Sequence, residues 1–319
     1  MSRRSVVFEA PGEIGIRTDT APSPGADEVL VRTHVSGISA GTERLFYRGD
    51  VPEGIVLDTN LPSLSESFRF PTTYGYACVG ESDIGERVFS FQPHTSHFVA
   101  LKDEIYQVPD DISSELAALW PSAETAVNLV LDAEPRVGER VLVVGQGVIG
   151  LATTSLLARY PLEKLWSVDP LAARRDASLA YGATRALTPL QARDVSDFDL
   201  AIELSGTSDG LNRAIAAVGF EGRVIVGSWY GANEIPVAFG THFHRSRVQL
   251  KSSQVSNIGA SLSSRWTKAR RMRAAADVLR GLSPHEIVTH RFPVEDAAEA
   301  YELVGRPDES CLQVVLTYT

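Results

Sequence analysis

The chain has few sulfur-bearing residues: two cysteines and two methionines in 319 residues. Cys78 and Cys311 alone cannot form a disulfide-stapled framework or a four-cysteine zinc lobe, which fits a reduced, cytoplasmic protein. Positive charge is also short. Thirty Lys and Arg against forty Asp and Glu leave a formal net charge of −10, which argues against a nucleic acid or an anionic membrane as partner. The longest apolar stretch, residues 141–158, is broken by Gly145, Gly147, Gly150 and Gln146, so it reads as a buried strand and helix rather than a membrane span. The first nine residues enter strand-like alternation directly, without the apolar core of a signal peptide.

What is present is a chain with 44% hydrophobic residues, long enough for two domains with substantial cores. Val141 to Val144 is followed by Gly145-Gln146-Gly147-Val148-Ile149-Gly150, an apolar helix, and Leu165 to Val168 ending at Asp169. Strand, glycine turn, helix, strand and terminal acid is the order of a dinucleotide-binding βαβ unit. Gly145 serves a tight turn, Gly147 lets backbone approach a pyrophosphate, and Gly150 lets helix and strand pack closely. The helix start at Val148 and Ile149 offers free N–H groups to phosphate. Asp169 stands about twenty residues beyond the glycines, where a carboxylate accepts from a ribose diol and repels a 2′-phosphate, so NAD is expected over NADP. Arg174 and Arg175 carry the minor case for NADP.

Residues 1 to about 110 read as short strands broken by Pro and Gly: 5–8, 28–35, 80–81, 87–91 and 98–108. From Ser113 helical spacing takes over, and strands at 141–144, 165–168, 200–204 and 223–228 then alternate with helices. The fold class expected is α/β, an irregular β-barrel domain plus a doubly wound Rossmann domain. The domains expected are 1–121 with 257–319, and 122–256. The run from Arg265 to Arg273 invites a nucleic-acid reading, but Trp266, Ala269, Met272 or Ala276, and Leu279 fall on one stripe and leave the arginines on a solvated face.

The whole chain resembles the medium-chain dehydrogenase/reductase superfamily, with a GroES-like catalytic domain and a Rossmann domain. Val29–Arg32, Gly182-Ala183, Glu203-Leu-Ser-Gly206 and the segment 287–293 stand where that superfamily has comparable pieces. Ser36-Gly-Ile-Ser-Ala-Gly-Thr-Glu43, Tyr74-Gly-Tyr76, Phe91-Gln-Pro-His94 and Glu124-Thr-Ala-Val-Asn128 are similar to the bacteriochlorophyllide dehydrogenase subgroup. The resemblance implies hydride chemistry with a nicotinamide cofactor, no zinc, Thr125 and Ser205 on the cofactor, and a homodimer pairing through an edge near Glu234–Phe239.

It also locates a gap. Where zinc alcohol dehydrogenases carry metal ligands, this chain has Ser39 or Ala40, Tyr76 with Ala77, and Pro121, none of which makes a good site. His94, His97 and Glu43 are the only improvised alternatives. Without a Lewis acid, hydroxyls or an imidazole must handle charge on the reacting oxygen. Tyr76, His94, Thr42, Glu43 and Ser39 are the candidate catalytic residues. The bland readings are a packed aromatic for Tyr76, a surface carboxylate for Glu43, a turn residue for Ser39, a backbone-bonded loop histidine for His94, and structural roles for His285 and His290.

The activity expected is a zinc-independent interconversion of alcohol and ketone or aldehyde on a small organic substrate, held between the domains, with residues 47–70 as a substrate loop carrying Phe68 and Phe70. A zinc-free quinone or enone reductase, and a non-catalytic nucleotide-binding or redox-sensing protein, are the alternatives.

Overall fold

A computed structural model describes residues 1–58, 60–306 and 311–319. The chain divides into two compact units, residues 1–121 with 283–319, and residues 122–282.

The first unit begins with a hairpin, β1 (Ser2–Ala10) and β2 (Glu13–Thr20). The long β3 (Glu28–Ile38) runs straight into α1 (Ala40–Arg48). An irregular stretch leads to β4 (Cys78–Ser82), β5 (Arg87–Ser90), β6 (His97–Leu101) and β7 (Ile105–Gln107), then the short α2 (Ser114–Ala117). β2 was not anticipated. Its residues are mostly exposed, and its apolar alternation stops at Ile14 and Ile16, too short to mark a strand.

Helix α3 (Trp120–Ala133) carries the chain into the second unit. There β8 (Arg140–Val144), α4 (Val148–Leu157), β9 (Lys164–Val168), α5 (Ala172–Ala180), β10 (Arg185–Leu187), β11 (Phe198–Glu203), α6 (Ser208–Ala217), β12 (Val218–Val226) and β13 (Gln249–Ser252) build a six-stranded sheet. Its strands are parallel, in the order β10-β9-β8-β11-β12-β13. The order reverses at β8, which makes the carboxyl end of β8 the switch point of a doubly wound sheet. Both faces are covered, so β8 and β11 are near-continuous apolar runs rather than alternating ones.

The second unit ends at Leu282 rather than at residue 256. Helix α7 (Lys268–Leu279) belongs to it, and the reason corrects the sequence reading of the arginine run. Arg271 is not on a solvated face. It is 1% exposed and donates from Nε to Glu124 at 2.9 Å, from Nη1 to Asn128 Oδ1 at 2.7 Å, and from Nη2 to the Val255 carbonyl at 2.6 Å. A buried guanidinium is tolerable only with such a full set of acceptors. The buried face therefore runs through Arg271, Met272, Ala275, Ala276, Val278 and Leu279, while Ala269 is exposed.

The chain then returns to the first unit with α8 (Pro284–Ile287), β14 (Val288–Pro293), α9 (Ala297–Gly305) and β15 (Gln313–Thr317). β15 enters that unit's seven-stranded sheet between β14 and β3. The core beneath packs Phe8, Phe46, Phe68, Tyr74 and Tyr301 together. Phe68, expected to face a substrate, is 1% exposed and stacks edge-on against Phe46 and Phe70 at 5.0 and 4.9 Å. Thr59, within the same loop, lies outside the described residues. The segment 234–239 is not a strand either. The Pro236 carbonyl accepts from Ser208 and Asn212, and the Ala238 amide donates to Asn212, so helix α6 holds it as a loop and β13 forms the sheet edge.

Candidate active site

In the second unit the glycine turn follows β8. Gly145 has φ +95°, and a Cβ there would lie 2.6 Å from the Leu204 carbonyl, so both conformation and space demand glycine. A Cβ on Gly150 would meet the Gly145 oxygen at 2.1 Å, the close helix–strand packing expected of that position. Gly147 differs from both. It caps α4 without a side-chain hydrogen bond, and nothing stands within 4 Å of where its Cβ would be. Val148 and Ile149, in the first turn, keep part of their surface exposed. An uncapped N-terminus with open space at the glycine fits an anionic pyrophosphate.

Asp169 is 3% exposed and its oxygens are engaged by the protein's own amides, Gln146 N–H at 2.7 Å and Leu171 N–H at 2.9 Å. It thereby ties the glycine turn to the start of α5. Each carboxylate oxygen keeps a second lone pair for a hydroxyl donor. Gln146, which interrupts the apolar stretch, is fully buried and accepts from Thr154 at 3.0 Å, holding the turn to α4. Arg175 folds back to donate to the Asp169 and Pro170 carbonyls at 2.9 and 2.7 Å. Arg174 and Thr125 are half-buried. Ser205, next to the glycine turn, donates to Glu203 at 2.6 Å.

In the first unit the structure brings the predicted catalytic residues into one hydrogen-bonded cluster. Ser39 follows β3 and stands at the N-cap of α1. Four residues on, Glu43 reaches back so that its Oε1 accepts the Ser39 N–H at 2.7 Å. The carboxylate is fully buried, and its Oε2 meets His94 Nε2 at 2.9 Å and accepts from the Tyr301 hydroxyl. His94 is also fully buried, with Nδ1 2.6 Å from Ser36 Oγ, which lies 2.9 Å from the Tyr318 hydroxyl. Glycine at position 75 makes room for this ring: φ is +113°, and a Cβ would stand 2.5 Å from His94 Cδ2.

Glu43 Oε2 and Ser36 Oγ bracket the imidazole, one at each nitrogen, and the Tyr318 hydroxyl lies beyond Ser36. Both ring nitrogens are thus committed inside the fold. Glu43 is no surface carboxylate: it is fully buried.

Tyr76 and Ser39 remain partly exposed. The Tyr76 hydroxyl donates to Ser39 Oγ at 2.5 Å. Burial, and after it the nearby Glu43 charge, push the Tyr76 phenol up to about 12, against the lowering effect of its contacts with Ser39 and Thr42. Burial likewise pushes up Tyr301 and Tyr318. His97 stands apart on β6, beside Ser96 Oγ at 3.0 Å. Among the described residues no group of three or more His, Cys, Asp or Glu side chains is placed to hold a metal ion. Nor, among them, is any helix long and apolar enough to cross a membrane.

Ser36 and Glu203 sit inside stretches the sequence had singled out, but Tyr301 and Tyr318 carried no local signal.

No family model matches the chain. It is 24% identical over 332 residues to 2-desacetyl-2-hydroxyethyl bacteriochlorophyllide A dehydrogenase of Rhodobacter capsulatus, covering 100% of this chain and 99% of that one. It is 23% identical over 335 residues to L-threonine 3-dehydrogenase of Xanthomonas axonopodis pv. citri, covering 93% and 94%. Among solved structures, a short chain alcohol dehydrogenase from E. coli complexed with NADH superposes with a TM-score of 0.78 at 19% identity, covering 99% of each chain.

Proposed function

We propose that this chain, which belongs to the medium-chain dehydrogenase/reductase superfamily and is an oxidoreductase, uses NAD(H) without zinc to interconvert an alcohol and a ketone or aldehyde on a small organic substrate. The observation that carries the reading is the glycine turn with its open position at Gly147 and uncapped α4 N-terminus. The cofactor supplies hydride acceptance or donation. Gly145, Gly147, Gly150, Val148 and Ile149 would hold the pyrophosphate, Asp169 the adenosine ribose with Arg174 beside it, and Thr125 and Ser205 the nicotinamide end.

The chain's own part is to manage the proton and the charge on the substrate oxygen. With its ionisation pushed up to about 12, Tyr76 is a phenol throughout the neutral range and acts as a donor, not a base. The Tyr76–Ser39 pair contains two hydroxyl protons and uses one between its members. The other is available to a carbonyl oxygen as negative charge develops there, the task a Lewis acid would otherwise perform. Thr42 stands beside the pair. Glu43 fixes Ser39 through its backbone, and His94 fixes Glu43. Neither touches the substrate.

The likeness to a hydroxyethyl-chlorin dehydrogenase and to threonine dehydrogenases supports a secondary alcohol as the reacting group. The test is direct: titrate NADH and NADPH, then assay secondary alcohols and their ketones with a chelator present. NADPH binding more tightly, or activity lost with a stoichiometric metal, overturns the assignment. Formation of a saturated C–C product in place of an alcohol favours the enone-reductase alternative. We further expect a cytoplasmic homodimer, supported by β13, whose four residues are exposed at the sheet edge. A monomer in sedimentation at micromolar concentration counts against it.

A further inference from the structure

The carboxyl ends of β11 and β12 hold a cluster of which the proposed function draws on Ser205 alone. Glu203, the last residue of β11, is fully buried. Its Oε1 accepts from Ser205 N–H at 2.7 Å, Ser205 Oγ at 2.6 Å and Gly206 N–H at 3.2 Å, and its Oε2 accepts from the Tyr230 hydroxyl at 2.9 Å. Gly206 N–H also lies 2.9 Å from Ser228 Oγ. One carboxylate thus fastens the turn after β11 to the loop after β12.

The position of that turn gives the cluster its meaning. The Leu204 amide donates to the Val144 carbonyl at 2.7 Å, and a Cβ on Gly145 would lie 2.7 Å from Ser205 N, so the turn borders the glycine loop directly. In a doubly wound sheet the dinucleotide crosses the switch point. Its adenosine half would fall on the β9 side, toward Asp169, and its other half on the β11 and β12 side, against Ser205 and Gly206. Because Glu203 takes the amide hydrogens of the turn, the groups left for a ligand are acceptors, the carbonyl oxygens. These suit ribose hydroxyls and a carboxamide N–H.

We propose that Tyr230, acting through Glu203, is a positioning residue that sets the Ser205–Gly206 turn for the nicotinamide half of the dinucleotide. The inference rests on the cofactor reading above. Without the Tyr230 hydroxyl, Glu203 Oε2 loses the neutral donor that orients it, and the carboxylate is free to swing from the turn.

A fragment separates this role from general damage. AMP contains only the adenosine half, so the clamp does not touch it. Tyr230→Phe should weaken NADH binding by about 10-fold, the size of one hydrogen bond to a charged group, and leave AMP binding within about twofold. Glu203→Gln, which presents an N–H₂ where an acceptor is needed, should weaken NADH more and again spare AMP. The inference is overturned if Tyr230→Phe binds NADH as the unmodified protein does, or if NADH and AMP weaken together. An unmodified protein that binds AMP but not NADH overturns the clamp alone; one that binds neither overturns the cofactor reading with it.

Discussion

Glu43 in the first unit and Asp169 in the second are both carboxylates sealed from water, at 0% and 3% exposure, and the fold satisfies them in opposite ways. Asp169 takes backbone amides 23 and 2 residues away. Glu43 takes one local amide, an imidazole 51 residues on and a phenol 258 residues on. A carboxylate fed by nearby amides shapes one turn. One fed by distant side chains joins α1, the loop before β6 and α9 into a single body, so the first unit's candidate chemistry depends on the end of the chain coming home.

From that difference, the largest effect should come from removing Glu43. Glu43→Ala takes the acceptor from the Ser39 amide, the His94 ring and the Tyr301 hydroxyl, each worth about 1–3 kcal/mol when left unmet, and the sum should reach about 3–5 kcal/mol. Calorimetry should show a fall in melting temperature on the order of 10 °C. Glu43→Gln keeps one acceptor oxygen and should lose less. A melting temperature for Glu43→Ala within about 2 °C of the unmodified protein would show that the cluster holds nothing together.

Next in size is Tyr76→Phe, which should lower turnover on the order of 100-fold while leaving NADH affinity unchanged. The substitution removes a proton from the hydroxyl pair and leaves the hydrogen bonds of both carboxylates in place. Because burial and the Glu43 charge raise the phenol to about 12, its ionisation should not shape the pH–rate profile near neutrality. The same raised phenol adds stability below about pH 10 that is lost as pH rises through its folded value. Near-normal turnover in both Tyr76→Phe and Ser39→Ala would remove the pair from the mechanism.

The same contrast explains what could be read from the sequence. The glycine turn was legible because its causes are local: a tight turn, a close approach and an open position lie within six residues, between strands that announce themselves as apolar runs. Ser39, Thr42, Glu43, Tyr76 and His94 were nameable as chemistry, yet their roles were not, because His94 is assigned only by Ser36 and Glu43 together and Glu43 only by Tyr301. Arg271 shows the limit from another side. Helical spacing put cations outside, and the fold put one inside because Glu124 and Asn128, more than 140 residues earlier, were waiting for it. Nothing local distinguishes it from Arg270, which lies over the Trp266 ring at 4.2 Å.

A smaller effect is expected at the local carboxylate. Asp169→Asn keeps one acceptor but sets an N–H₂ against either Gln146 or Leu171 N–H, at about 1–2 kcal/mol. Because the glycine turn is what moves, NADH and AMP should weaken together, unlike the Tyr230 variant, and the preference over NADPH should narrow as the negative charge disappears. A stability loss equal to that of Glu43→Ala would dissolve the distinction between local and distant partners.

The smallest effect serves as the control for burial. Glu115, like Glu43, has a partner far along the chain: Arg291, 176 residues on, grips both its oxygens at 2.6 Å. It differs in lying near solvent, with 30% of its side chain and 41% of that of Arg291 exposed. The Arg291 bond lowers the Glu115 pKa from its usual 4.5, so the pair adds stability that is present above that value and lost as pH falls through the lowered one. Water and salt screen it, so Glu115→Gln should cost no more than about 1 kcal/mol near neutrality, less at high salt, and nothing once acid has protonated the carboxyl. Unfolding measured at neutral and acid pH, with and without salt, decides the matter. Should Glu115→Gln destabilise as strongly as Glu43→Ala, sequence separation rather than burial governs how much such a contact holds, and the contrast between Glu43 and Asp169 must be redrawn on that basis.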